Sequence, residues 1–326
     1  MITSPSMMGA MRDQADNRVF HIVGVGGPLS GSISRADVLP TGFNVCGFGS
    51  TYTDLTNGAV YINEGTNVNL YWTPMSYSGP GLLGAWDDFR GVTLAALSDT
   101  VASVLMGSGI RIFGAGLDET DGGGVVTPGL DGTVLRLTSS ATTNLPVALS
   151  VGGSTVMFKP GIHGPLVVDS LFTIITDLLT KRVLLGFIGT AADGLVSPVT
   201  GSTVTLTLVQ DDVSGVMFDS ALTVATGWML PHNKADEAAS VLTTTSGIDT
   251  GTVVDAVGTY QRMRVEISAA GVMTAFRNKI QIGQISASAS TTVAVAPVLL
   301  ISGTSSAIDV MDVKHFGAWG SRVQGN

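Results

Sequence analysis

The sequence predicts an all-β protein built as a two-sheet antiparallel sandwich, and three observations carry that expectation. Chemistry alternates with a period of two between Gly258 and Ile285, where Met263, Val265 and Ile267 would line one side of a strand and Arg262, Arg264 and Glu266 the other. Turn residues then fold this stretch into a meander. Ala269-Ala270-Gly271 leads back through Val272, Thr274 and Phe276, and Asn278-Lys279 leads on to Ile280-Gln281-Ile282. Finally, 42 glycines, 44% hydrophobic residues and only 13% charged ones lack the Glu, Lys and Leu stock of exposed helices and favour strands joined by turns. Gly271 suits the positive φ of a tight hairpin because it has no Cβ; Lys279 is a less comfortable occupant of such a place.

With 326 residues the chain has room for one large or two smaller domains and can bury a sizeable core without cross-links. A net charge of -9 and the absence of a basic run argue against nucleic acid as a partner. Cys46 is the single cysteine, so neither an intrachain disulfide nor a multi-cysteine zinc site can be built, and it reads as a small buried hydrophobe. MITSPSMMGAMRDQADNR has no basic start followed by an apolar core and is not a secretory signal. The most apolar region, Pro165 to Gly189, is broken by Asp169, Asp177, Lys181 and Arg182, which excludes a membrane span. So few charges leave neutral or apolar surface to be covered, which points to copies of the same chain or a larger shell as the cover.

Taken in order, residues 1–20 are polar, methionine-rich and aperiodic and read as an extended arm. If the arm orders on a partner surface, Met7, Met8, Met11, Arg12, Arg18 and Phe20 are the side chains it offers. Residues 21–85 form a small strand-and-loop anchoring region, with Ala59-Val60-Tyr61-Ile62 a strand and Asn63-Glu64-Gly65-Thr66 a turn. Glu64, in that turn, reads as solvated. Three glycines and a proline between Met75 and Gly84 mark a hinge, and residues 86–326 make the main domain.

Within that domain Arg111-Ile112-Phe113 and Thr133 to Leu137 read as strands flanking an acidic loop with Asp118, Glu119, Asp121 and Asp131. Clustered carboxylates could hold calcium, but the spacing of calcium-loop motifs is absent and a solvated acidic loop is the plainer reading, so no metal or cofactor is expected. Leu166 to Leu185 fits either an amphipathic helix or two strands turning near Thr180-Lys181; β-branched Val167, Val168, Thr173, Ile174 and Ile175 favour strands. Thr203 to Val209 alternates cleanly and would pair with Gly215 to Asp219 across Asp211-Asp212. Residues 227–255 are polar and rich in alanine, threonine and serine, and WMLPHNKADEAAS within them resembles the exposed loop of the jelly-roll domains described below. Trp228, His232, Asn233 and Asp236 there could line a sugar site, although a tryptophan anchoring a loop onto the sandwich is the commoner arrangement.

Two further stretches resemble known families. Arg264-Val265-Glu266-Ile267, Gly271 and then Phe276-Arg277-Asn278, with Asp87-Asp88-Phe89 before and Ala307 to Trp319 after, resemble concanavalin-like (laminin-G-type) jelly-roll domains, a resemblance covering roughly Trp86 to Arg322. It implies an antiparallel jelly-roll sandwich. VYINEGTNVNLYWTP, residues 60–74, resembles a phrase recurring in tailed-bacteriophage structural proteins ahead of such a domain. The two together imply a virion protein, most concretely a capsid decoration or cement protein on the capsid exterior, with the major capsid protein and copies of itself as partners. The alternative is a receptor-binding or fibre module that binds host-surface glycans.

Catalytic chemistry is not indicated. Glycan hydrolysis needs two carboxylates flanking the bond, and no strand carries such a pair: Asp309 and Asp312, three apart, fall on opposite faces. His21, His163, His232 and His315 are scattered, without metal-ligand or triad spacing. Glu266, beside Arg264 and Arg262, reads as part of a charge ladder on a solvated or interface face.

Overall fold

The computed structural model describes residues 11–12, 18–19, 21–24, 30–32, 48–54, 59–66, 69–75, 82–89, 103–118, 126–128, 134–152, 158–203, 205–210, 212–222, 227–234, 241–243 and 247–321. Two antiparallel sheets face each other across an apolar core, an antiparallel jelly-roll sandwich as the sequence predicts. The front sheet runs Val126–Pro128, Leu135–Thr138, Val310–Ser321, Leu166–Ile174, Gln261–Ile267, Met273–Arg277 and Ile280–Ile285. Leu82–Asp87 also pairs with the Phe316–Ser321 half of the long last strand, so Trp86 already lies inside this sheet. The back sheet runs Ser103–Leu105, Ile110–Phe113, Val147–Val151, Ala296–Gly303, Lys181–Ile188, Val213–Asp219, Gly227–Asn233 and Gly247–Val253.

Alternation explains which residues meet in the middle. Val168, Met263, Val265, Ile267, Met311 and Val313 enter from the front, and Ile112, Leu149, Val183, Leu185, Phe218 and Leu299 from the back. On the last strand the inward positions change parity, from Met311 and Val313 to Phe316 and Ala318. The cause is a bulge: Leu171 pairs with His315 and Phe172 with Val313, leaving Lys314 as the extra residue. The meander holds as expected, with Gln261–Ile267 paired to Met273–Arg277 and that strand to Ile280–Ile285. Its second strand turns Met273 and Ala275 to the core and leaves Phe276 on the outer side. Gly271 has φ 77°, and both Asn278 (φ 49°) and Lys279 (φ 70°) take the left-handed conformation that a two-residue hairpin demands.

Leu166–Ile174 and Lys181–Ile188 are strands, and they lie in opposite sheets. Lys181–Ile188 is buried on both faces, because a second apolar cluster lies behind the back sheet. There Leu184, Ile188, Met217, Val298 and Leu300 meet Ala191, Leu195, Val199, Leu206, Leu208 and Leu222. This cover includes a small sheet of Val199–Ser202, Thr205–Leu208 and Val241–Thr243. Thr205–Leu208 therefore does not pair with Val213–Asp219 as the sequence suggests; the latter lies between Lys181–Ile188 and Gly227–Asn233. The 227–255 stretch is likewise not one loop, since Gly227–Asn233 and Gly247–Val253 are adjacent strands of the back sheet.

In the N-terminal region, Thr51–Asp54, Val60–Asn63 and Trp72–Pro74 form an antiparallel series, and His21–Gly24 adds in parallel to Thr51–Asp54. Met11–Arg12 pairs with Arg18–Val19. No helix among the described residues is long and apolar enough to cross a membrane.

Candidate functional site

Among the described residues, the outer face of the front sheet carries the densest group of interacting polar side chains. Because Val168 and Val265 point into the core, their neighbours Asp169, Arg264 and Glu266 must point outward. Asp169 pairs in register with Arg264, and the bulge at Lys314 turns His315 to the same side. Outward does not mean exposed here: the loop from Glu64 and the strand Trp72–Pro74 lie over this face. Asp169, Arg264 and Glu266 are all buried, as is Tyr71.

Asp169 is the centre. It accepts from the Tyr71 hydroxyl at 2.6 Å, Arg264 Nε at 2.7 Å, His315 Nε2 at 2.8 Å and Arg262 Nε at 3.0 Å. Burial alone would raise its pKa, but Arg262, Arg264 and the bond to His315 hold the carboxyl well below the ordinary aspartate range. Burial drives the Tyr71 hydroxyl well above the usual tyrosine range, so it stays a donor. The Arg264 guanidinium lies 3.6 Å from the centre of the Tyr71 ring and 5.2 Å from that of Trp319. Its remaining nitrogens donate to the Trp72 carbonyl at 2.6 Å, Thr73 Oγ1 at 3.1 Å and Glu266 Oε1 at 3.3 Å.

The covering segment is held from its own side too. Asn63 Oδ1 accepts the backbone N–H groups of Gly65 and Tyr71, which holds those two positions against the end of Val60–Asn63. Ser30 donates its N–H to Glu266 and accepts the N–H of Trp72 on its hydroxyl. Glu64 is not simply solvated: it accepts from Arg262 at 2.9 Å and sits 3.6 Å from Lys279 Nζ. Burial opposes its ionisation, yet Arg262 and Lys279 lower its pKa overall. The ladder of Arg262, Arg264 and Glu266 is thus an interface of the chain with itself. Trp86 lies over Gly317, where any Cβ would come within 2.4 Å of the indole, and its ring stacks at a tilt on His315, 5.8 Å away.

Chemically this is a closed ionic lock. Each Asp169 oxygen already accepts two donors, which leaves no lone pair to exchange a proton with a substrate. The sequence signal was present but put to another use. Asp169 interrupts the apolar run Val167 to Phe172, and a carboxylate in such a run must find buried partners. Tyr71 and His315 carried no spacing that would single them out.

The other candidate positions lie apart. Trp228 is fully buried, edge-on to Phe172 and Phe218, with its indole N–H donated to Gln261. It is a core side chain of the back-sheet strand Gly227–Asn233, enclosed on all sides and not at the surface where a sugar would meet it. Asn233 is buried in the same strand, and His232 is half-buried near the Leu230 carbonyl. Asp236 lies outside the described residues, as do Met7, Met8, Phe20, Cys46, Glu119, Asp121 and Asp131. Met11, Arg12 and Arg18 belong to the short N-terminal pair of strands. Among the described residues no three His, Cys, Asp or Glu side chains gather as metal ligands. Crevices elsewhere among the described residues include a polar one of about 260 Å³ beside Thr190, Gln210 and Asp212, and an apolar one of about 220 Å³ between Leu83, Val151 and Phe158.

No protein-family model matches the chain, and no curated protein matches it. Solved structures with a similar course include a protein of unknown function from Shewanella oneidensis MR-1, with a TM-score of 0.41 and 10% identity over 75% of this chain and 90% of that one. Peanut lectin aligns with a TM-score of 0.43 and 9% identity, covering 75% of this chain and 99% of the lectin. A Bacillus licheniformis β-glucanase aligns with a TM-score of 0.41 and 9% identity over 72% and 97% of the two chains.

Proposed function

We propose that this chain is a virion structural protein, a capsid decoration or cement protein that sits on the outer surface of a major capsid shell and stabilises it. The observation that carries the reading is the closed front face: the chain's own residues Glu64 and Tyr71 to Thr73 occupy it, and Asp169 and Glu266 are spent on holding them there. A sheet face filled in this way supports a building block over an open cleft for a polysaccharide. The stretch doing the filling is the one that resembles tailed-bacteriophage structural proteins, residues 60–74. In this reading the N-terminal region anchors to the shell and the sandwich projects from it. Side chains such as Leu179, 79% exposed, and Met75, 62% exposed, remain for contacts with the shell or with other copies.

The test is co-sedimentation of the purified full chain with empty shells assembled from the major capsid protein encoded in the same genome. Saturable binding in a fixed ratio to the shell subunits, with a rise in shell melting temperature, is the expected result. A chain that stays in the supernatant, or that instead binds defined sugars on a glycan array, would contradict the cement reading.

A further inference from the structure

Lys181 opens a strand of the back sheet, and Asp309 stands just ahead of the last strand of the front sheet, 128 positions later. Both side chains are buried, at 0% and 2% exposure. A lysine withdrawn from water needs its ammonium group fully matched. Lys181 Nζ has Thr176 Oγ1 at 2.7 Å and Asp309 Oδ1 at 3.0 Å, with Asp177 farther off at 3.9 Å.

The carboxyl group is lopsided. Oδ1 takes the lysine and also faces the hydroxyls of Thr180 at 3.2 Å and Thr176 at 3.4 Å. Oδ2 is buried with no hydrogen-bond partner, the one carboxylate oxygen so placed among the described residues. The ion pair one residue along shows the contrast. Asp219 accepts Arg182 Nε and the Gly201 N–H on Oδ2 and the Ala221 N–H on Oδ1, so both its oxygens are used. An orphaned, buried carboxylate oxygen is a costly place for negative charge, and the neutral carboxyl group, the form an amine can attack, suffers less there. Burial holds the Asp309 carboxyl above the ordinary aspartate range, although Lys181, Thr180 and Thr176 pull the other way.

We propose that Lys181 and Asp309 join in an intramolecular isopeptide bond that ties the two sheets together covalently. A proton passes to Oδ1 along its hydrogen bond from Nζ, and the freed nitrogen lone pair attacks Cγ, while the Thr180 and Thr176 hydroxyls hold Oδ1 in place. The second proton travels from Nζ through the Thr176 hydroxyl to Oδ1, the C–Oδ1 bond breaks, Oδ1 departs as water, and an amide between Nζ and Cγ remains with Oδ2 as its carbonyl oxygen. Ammonium plus carboxylate gives amide plus water, so atoms and charge balance with no oxidant or co-reactant. Fixed proximity in a dry site supplies the drive that free side chains lack. The bond would close a long loop of chain and so restrict the unfolded state.

Intact-mass spectrometry of the denatured full chain tests this, followed by protease digestion and peptide mapping. The wild-type chain is expected to be lighter than its sequence by one water and to yield a branched peptide joining the Lys181 and Asp309 segments. Lys181→Arg, which keeps a cation beside Asp309, should return to the full sequence mass. A wild-type mass equal to the sequence overturns the proposal. So does a water loss that persists in Lys181→Arg or maps to an aspartyl imide elsewhere; the wild-type peptide map decides even where the variant folds poorly.

Discussion

The back sheet meets its cover through Leu184, Met217 and Leu300 against Leu206, Leu208 and Leu222, whereas the front sheet meets its cover through Asp169, Arg262, Arg264 and Glu266 against Tyr71, Trp72 and Glu64. One cover is a second hydrophobic core and the other a buried charge network. Apolar packing is non-directional and tolerates small shifts as long as volume is kept. A hydrogen-bonded ion network has one correct arrangement, so it fixes where the N-terminal segment lies, at the risk of a heavy penalty when one member is lost.

That contrast can be broken from either side. The largest effect is expected from Asp169→Ala, which strands two arginines: a loss of about 4 kcal/mol of stability in chemical denaturation. Leu206→Ala, in the apolar cover, should cost about 3 kcal/mol by the same measurement, from lost burial and the cavity left behind. Tyr71→Phe removes one hydrogen bond to a charged carboxylate and should cost about 2 kcal/mol, with the ring still packed on Arg264 and Phe276.

Acid separates the covers without mutation. Asp169 and Glu64 both have lowered pKa values in the folded protein, so their contribution is complete above the ordinary carboxylate range, about pH 4 to 4.5. It is lost as pH falls from there through the folded-state values, because only the unfolded chain takes up protons readily. Denaturation midpoints followed from pH 6 to pH 3, on the order of the range set by those groups, should fall in the wild type and in Leu206→Ala alike. The decline should be visibly shallower in Asp169→Ala.

The regular parts of the fold were legible because their alternation is local. Met263, Val265 and Ile267 announce their own inward face, and Gly271 announces its turn. Where a strand is buried on both sides, as at Lys181–Ile188, the alternation vanishes and a helix reads almost as well. Thr205–Leu208 was recognised as a strand but given the wrong neighbour, since pairing with Val199–Ser202 and Val241–Thr243 depends on long-range packing against the back sheet. The site was legible only in half. Arg262, Arg264 and Glu266 stood out as a ladder, but the partner that buries them, 190 to 200 positions earlier in sequence, left no local mark. Sparse surface charge suggested neighbours in an assembly; a second apolar core under residues 191–222 accounts for part of that hydrophobicity within the chain itself.

Whether the front face is truly closed can be read most directly from amide hydrogen exchange on the intact chain at neutral pH. The Tyr71 and Trp72 N–H groups, bonded to Asn63 Oδ1 and Ser30 Oγ, are expected to exchange as slowly as those of Gln261–Ile267 beneath them, and to speed up in Asp169→Ala. Fast exchange at Tyr71 and Trp72 in the wild type, over a front sheet that stays protected, would mean that the segment does not hold the face shut and would contradict the account.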